Sequence, residues 1–116
     1  SQLVERTILE DLNCRVDVAS NVAQALSMLQ NTYDFIVMDI GLPDGDGFTL
    51  CKQIRESVDS PNVNVPIIAV TAHVSEQEMH RSKDYGMNQV LIKPINRDVL
   101  SQALAKHRTK LAEVDA

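Results

Sequence analysis

The sequence predicts an α/β domain built on a parallel sheet, and three observations carry that expectation. Along its 116 residues two hydrophobic periods alternate, helical stretches giving way to short apolar runs. The runs at residues 35–38, 67–70 and 90–92 are not interrupted by polar residues, which suits strands covered on both faces. Loop-forming residues separate them from the helical stretches, so strand and helix take turns, as right-handed crossovers in a parallel sheet require.

Taken in order, residues 2–12 carry Leu3, Val4, Ile8, Leu9 and Leu12 at helical spacing, and the chain opens inside that helix. Residues 15–19 alternate apolar and polar, with Val16 and Val18 on one face, which predicts a strand. Residues 22–30 put Val22, Ala25, Leu26 and Leu29 on one helical face behind a cap at Ser20 or Asn21. Phe35, Ile36, Val37 and Met38 form the first buried run. Gly41, Pro43, Gly45 and Gly47 then break the chain into a loop. The next helix turns Phe48, Cys51, Ile54 and Val58 inward. Pro66 opens the second run, Ile67, Ile68, Ala69 and Val70. A polar stretch at 75–85 predicts a weak helix, capped by Ser75 with Glu78 three residues on and closed by Gly86. Val90, Leu91 and Ile92 make the last strand. Asn96 caps a final helix bearing Val99, Leu100, Ala103, Leu104 and Leu111.

Composition bounds the function. The length suits one domain of about 100–150 residues, and 44% apolar residues suffice for a core. Aromatic residues make up only 3%, so aliphatic side chains must fill it. A net charge of −5 argues against nucleic-acid binding and against direct contact with anionic membranes, since both need a basic footprint. Cys14 and Cys51 form no CxxC pair and read as reduced thiols. No apolar run approaches the roughly 18 residues of a membrane span, and no signal peptide is visible, so a cytoplasmic domain is expected, tethered or not to a membrane protein.

The chemistry sits at the strand ends. In open parallel sheets, ligands bind beyond the carboxyl ends of the strands. The three buried runs are followed there by Asp39, Thr71 and Lys93. Alone, each has an ordinary explanation: a turn aspartate, a strand-terminal hydroxyl, a solvated lysine. Together they form a convergent set of carboxylate, hydroxyl and ammonium. A carboxylate oxygen can attack a phosphoryl group and hold it as an acyl phosphate. A cation and a hydroxyl beside it would stabilise the phosphoryl oxygens.

At this point a resemblance is plain. Residues 33–43, Tyr-Asp-Phe-Ile-Val-Met-Asp-Ile-Gly-Leu-Pro, with Asp46, Gly47 and Phe48 after them, resemble the phosphoacceptor segment of response regulator receiver domains. Val70, Thr71, Ala72 and His73 resemble their switch-hydroxyl segment. Gly86, Met87 and Asn88, then Ile92, Lys93, Pro94 and Ile95, resemble their lysine segment. The three motifs are in register over nearly the whole chain, and the phrasing is most similar to receivers of hybrid sensor histidine kinases. The resemblance implies a flavodoxin-like, doubly wound parallel sheet in the order 2-1-3-4-5. It implies a two-component phosphorelay in which Asp39 takes a phosphoryl group from a phosphohistidine of a histidine kinase or histidine phosphotransfer domain. Thr71 would be the switch hydroxyl and Lys93 the phosphate-binding cation. Backbone N–H groups of Ile40 and Ala72 would contact phosphoryl oxygens, and Mg2+ would bind the Asp39 carboxylate and the Gly41 carbonyl. The output surface would be the family's fourth helix, fifth strand and fifth helix, and a homodimer is compatible with it. Such a domain catalyses its own phosphorylation and is not an enzyme in the ordinary sense.

Two features depart from the family. Its first strand ends in the acidic pair that holds magnesium, and neither strand nor pair lies in residues 1–116. Glu5, Glu10 and Asp11 lie along the first helix and read as solvated. The expectation is therefore an N-terminally incomplete receiver over 1–116, or a central slot filled by another segment or chain. Second, Val90 stands where the family often has an aromatic ring coupled to the switch hydroxyl.

Rival readings are weaker. Asp44, Gly45, Asp46 and Gly47 do not open a calcium loop, because Phe48 and Arg55 fall where Asp or Asn and Glu are needed. His73, His80, His107 and the cysteines show no zinc-ligand spacing, and no glycine-rich nucleotide loop occurs. The alternative worth carrying is a phosphorylation-independent pseudo-receiver that acts as a protein-interaction module. For Lys93, an exposed rim position is expected, so Lys93→Ala should impair signalling more than folding.

Overall fold

The computed structural model describes residues 2–40, 47–73 and 75–115, with Gln2 and residues 108–115 described by backbone alone. The elements run α1 (Gln2–Asp11), α2 (Val22–Met28), β1 (Ile36–Asp39), α3 (Gly47–Glu56), β2 (Ile67–Thr71), α4 (Glu76–Asp84), β3 (Gln89–Ile92) and α5 (Arg97–Asp115). Contacts group them into two compact units, one of residues 19–93 and one of residues 1–18 with 94–116.

The unit of residues 19–93 holds a parallel three-stranded sheet in the order β1-β2-β3. Every residue of β2 is buried, as a central strand flanked on both edges must be. Met38, Ile40, Phe48, Cys51, Ile54, Val65, Ile67, Ala69 and Met87 make one core cluster, aliphatic apart from Phe48 and the sulfur side chains. α3 contributes Phe48, Cys51 and Ile54 at helical spacing. Of the two expected α2 caps, Ser20 and Asn21, it is Asn21 that caps: its Oδ1 accepts the Gln24 N–H at 2.9 Å, while Gln24 Oε1 accepts the Ser20 N–H at 2.7 Å. α4 starts at Ser75, whose Oγ accepts the Glu78 N–H at 3.2 Å, and its exit runs through Gly86 at φ +93°. Asn62, fully buried, joins two loops. Its Oδ1 accepts the Tyr33 N–H, and its Nδ2 donates to the carbonyls of Leu29 and Asn31.

In the other unit, Asn13 in the turn after α1 takes φ 67°, and the Cys14 N–H closes back on the Leu9 carbonyl at 2.9 Å. Asn96 caps α5 through Oδ1 to the Val99 N–H at 2.9 Å, and Arg97 pairs with Asp11 at 3.1 Å.

The structure corrects several expectations. Residues 14–19 form no strand, although partial burial and exposure still alternate from Cys14 to Val18. The alternation marks which side chains turn inward, but a strand exists only where a ladder pairs its backbone, and the described ladders join only β1 to β2 and β2 to β3. The observed sheet thus matches the 3-4-5 part of the expected order, and among the described residues neither of the two other strands of that order is formed. Leu26 is 44% exposed, and Met28 takes its place on the inner face of α2. α3 stops at Glu56, which leaves Val58 79% exposed. In α1 it is Leu3 and Val4 that face solvent, while Glu5, expected to be solvated, is buried.

Candidate functional site

The parallel register decides what stands at the carboxyl edge of the sheet. Asp39 is level with Val70, and Thr71 is level with Ile92. Asp39, Thr71 and Lys93 therefore occupy consecutive levels on three adjacent strand ends, about 4.8 Å apart from strand to strand. The ladders run one step past the elements. The Ile40 N–H donates to the Val70 carbonyl at 2.9 Å and the Lys93 N–H to the Thr71 carbonyl at 2.8 Å. Both backbones are thereby fixed beside the side chains that matter.

Lys93 reaches across the end of β2 to Asp39, and Nζ donates to Oδ2 at 2.8 Å. The Asp39 side chain is only 9% exposed and that of Lys93 27%. The ion pair is a charge-assisted hydrogen bond in a partly dry setting, stronger than a surface salt bridge. Lys93 does not sit at an exposed rim, as expected from sequence; the carboxylate draws its ammonium inward.

Thr71 is buried at the same edge, but its hydroxyl donates to the His73 carbonyl at 2.9 Å. The His73 N–H makes a longer contact, 3.4 Å, to the same oxygen. The hydroxyl thus holds the start of the loop after β2, an arrangement with no signal in the sequence because its acceptor is a backbone carbonyl. Ala72 is exposed on that loop. Ile40 is buried and its N–H is engaged by Val70, so its expected phosphoryl contact would need that bond to be given up or shared. Gly41, the expected carbonyl ligand, lies outside the described residues.

The first residue of α3 packs closely against the residue that follows Asp39. A Cβ on Gly47 would stand 2.5 Å from Ile40 Cγ2, so only glycine lets the helix start against the residue that follows Asp39. Sequence reading took Gly47 for a loop breaker and missed this close approach. Away from the edge, burial pushes the Cys51 thiol above its ordinary range, with the nearby Arg55 charge opposing it. Arg55 is itself pulled down by burial.

Magnesium is a hard cation that favours about six oxygen ligands in octahedral array. Among the described residues no three acidic, histidine or cysteine side chains gather to hold a metal ion. Asp39 supplies one carboxylate, already paired with Lys93, so the described residues alone do not complete such a site.

Comparison with known proteins gives this geometry its context. Residues 2–105 match the response regulator receiver domain family. The transcription factor SKN7 of Chaetomium thermophilum is 37% identical over 106 residues, covering 89% of this chain and 13% of that protein. The sensor histidine kinase RcsC of Salmonella typhimurium is 30% identical over 118 residues, covering 97% of this chain and 12% of that protein. The chain spans about an eighth of the length of these relatives. Among solved structures, the receiver domain of a sensor histidine kinase from Pseudomonas aeruginosa superposes with a TM-score of 0.77 at 34% identity, over 90% of this chain and 85% of that one. That structure has a magnesium ion coordinated in its active-site cleft. A chemotaxis protein of Vibrio cholerae gives a TM-score of 0.80 at 28% identity, over 90% of this chain and 86% of that one. With three strand ends converging as described and the match running through all of them, the chain belongs to the response regulator receiver domain family of two-component signalling.

Proposed function

We propose that this domain accepts a phosphoryl group on Asp39 from a phosphohistidine presented by a histidine kinase or a histidine phosphotransfer domain. The observation that supports it most is the Asp39–Lys93 pair, a carboxylate held at 2.8 Å from an ammonium at the ligand-binding edge of the sheet. In the transfer, a carboxylate oxygen of Asp39 forms a bond to phosphorus as the phosphorus–nitrogen bond of the donor breaks. Lys93 then exchanges a carboxylate for the more highly charged phosphoryl oxygens and remains paired throughout. The Thr71 hydroxyl leaves the His73 carbonyl and donates to a phosphoryl oxygen, a neutral bond traded for a charge-assisted one. Attack by water on the acyl phosphate later returns free phosphate and the Asp39 carboxylate. The domain is thus an acceptor that catalyses its own loading and unloading, and not an enzyme with a separate substrate to turn over.

Magnesium, which the Pseudomonas neighbour carries in its cleft, would bind the Asp39 carboxylate and the Gly41 carbonyl and neutralise charge on the phosphoryl oxygens. Its remaining ligands would be waters and groups beyond the described residues. The test is incubation with acetyl phosphate and magnesium, read by intact mass and by lability in alkali. Wild-type protein gains one phosphoryl group that alkali removes, and Asp39→Asn gains none. Equal uptake by both proteins sinks the assignment. No uptake by either favours the pseudo-receiver reading.

A further inference from the structure

Two titratable side chains that phosphoryl transfer does not use are buried in the unit of residues 1–18 and 94–116. Glu5 is 8% exposed and His107 7%. The helices that carry them pack against each other. The inner face of α1 repeats at helical spacing through Glu5, Ile8, Leu9 and Leu12, and that of α5 through Leu100, Ala103, Leu104 and His107. Glu5 and His107 are the titratable members of two otherwise apolar stripes.

One contact sets their levels. Arg97, at the start of α5, pairs with Asp11, at the end of α1, at 3.1 Å, so the two packed helices run in opposite directions. At about 1.5 Å per residue, Glu5 lies about 9 Å back from Asp11 and His107 about 15 Å on from Arg97. The difference is about one helical turn, which two side chains of this length bridge. The other charged side chains described in this unit are exposed. Arg6 and Glu10 pair with each other along α1, Asp11 is taken by Arg97, and Asp98 and Lys106 point outward on α5. In the segment after α1, Arg15 and Asp17 are exposed and the Cys14 thiol is half-buried.

We infer that Glu5 and His107 form a carboxylate–imidazolium pair between α1 and α5, a clasp that holds α1 while the imidazole keeps its proton and loosens when the proton leaves. An isolated buried charge is costly, and a neutralised pair much less so. An ordinary carboxyl ionises near about pH 4.3 and an ordinary imidazole near about 6.5, so one proton between the two rests on the imidazole. Removing it leaves the carboxylate buried alone, and adding a second leaves the imidazolium alone. The pair therefore keeps its single proton over a wider range than either group would by itself. An imidazole that holds its proton more tightly when folded stabilises the fold below about pH 6.5, and this contribution is lost as pH rises through the folded-state step. The carboxylate contributes above about pH 4.3, and its share is lost as pH falls through its own lowered step. The clasp does not rest on the phosphoacceptor reading: it holds whether or not Asp39 takes up a phosphoryl group.

The experiment is a pH titration of the full chain by NMR, in which His73 and His80, both exposed, serve as references. In wild type the His107 ring should titrate at higher pH than both, by about one unit, which is tenfold tighter proton binding. Glu5→Gln keeps the shape and removes the charge. It should move the His107 step below the references, because a buried imidazolium then loses its counter-charge. Amide exchange at Ile8 and Leu9, corrected for its intrinsic pH dependence, should quicken about tenfold in wild type as pH rises through the His107 step and stay level in Glu5→Gln. A wild-type His107 step no higher than those of His73 and His80, or one that Glu5→Gln leaves in place, overturns the pair. Corrected exchange that quickens equally in both proteins, or in neither, overturns the clasp. Should Glu5→Gln fail to fold, His107→Gln decides: level exchange at Ile8 and Leu9 across the same range supports the clasp, and the wild-type rise overturns it.

Discussion

Lys93 and Asp39 hold opposite charges 2.8 Å apart, with the carboxylate nearly shut off from water. Taking away the ammonium leaves that carboxylate without its cation, which costs about 1–3 kcal/mol. Lys93→Met, which keeps the stem, should therefore lower the urea midpoint as well as abolish phosphate binding. In Asp39→Asn the same change should cost much less, since an amide needs no cation; equal losses in both backgrounds would show that the pair carries no coupling. The placement of Asp39, Thr71 and Lys93 at strand ends was legible in the sequence because each stands at the end of a short apolar run. The direction of the Thr71 hydroxyl was not, because a backbone carbonyl leaves no mark on sequence. Nor was the burial of Glu5, since helical periodicity ranks apolar residues and is blind to a carboxylate taken inside.

At the scale of elements, helices were read closely where caps mark them: Asn21 for α2, Ser75 for α4 and Asn96 for α5. The strand expected at 15–19 was misread because alternation records which side chains turn inward and says nothing about a ladder partner. Two loops carry more of the fold than their composition suggests. Asn62 satisfies one N–H and two carbonyls from a fully buried position. Asn62→Ala leaves those groups unpaired and should cost about 3 kcal/mol, measured as a lower urea midpoint at unchanged slope. A midpoint within experimental error of wild type would show that water replaces the side chain. Gly86 combines φ +93° with an Arg55 side chain 2.7 Å from where a Cβ would stand. Gly86→Ala is expected to lower stability by about 1–3 kcal/mol, and an unchanged melting temperature would mean that Arg55 moves aside without loss.

For the molecule as a whole, the sparse aromatic content forces an aliphatic and sulfur-rich core, and Cys51 lies fully buried within it. Burial raises its thiol above the ordinary value of 9.0, against the smaller opposing effect of Arg55. The unfolded thiol ionises first as pH rises, so the stability held below about pH 9 declines above it. Cys51→Ala should show a flatter stability curve in that alkaline range, and parallel curves for the two proteins would contradict the burial account. The α/β layout on a parallel sheet was legible from alternation and apolar runs alone, and the receiver family, with the flavodoxin-like order it implies, from three motifs in register. How the strand ends meet was not, because register and side-chain reach are tertiary facts. The central claim, that Asp39 is the acceptor of a phosphorelay, is tested most directly by mixing the full chain with a phosphotransfer domain labelled on histidine. The account predicts that label leaves the donor and appears on this chain, alkali-labile and absent from Asp39→Asn. Label that stays on the donor, or that reaches Asp39→Asn as readily, would contradict it.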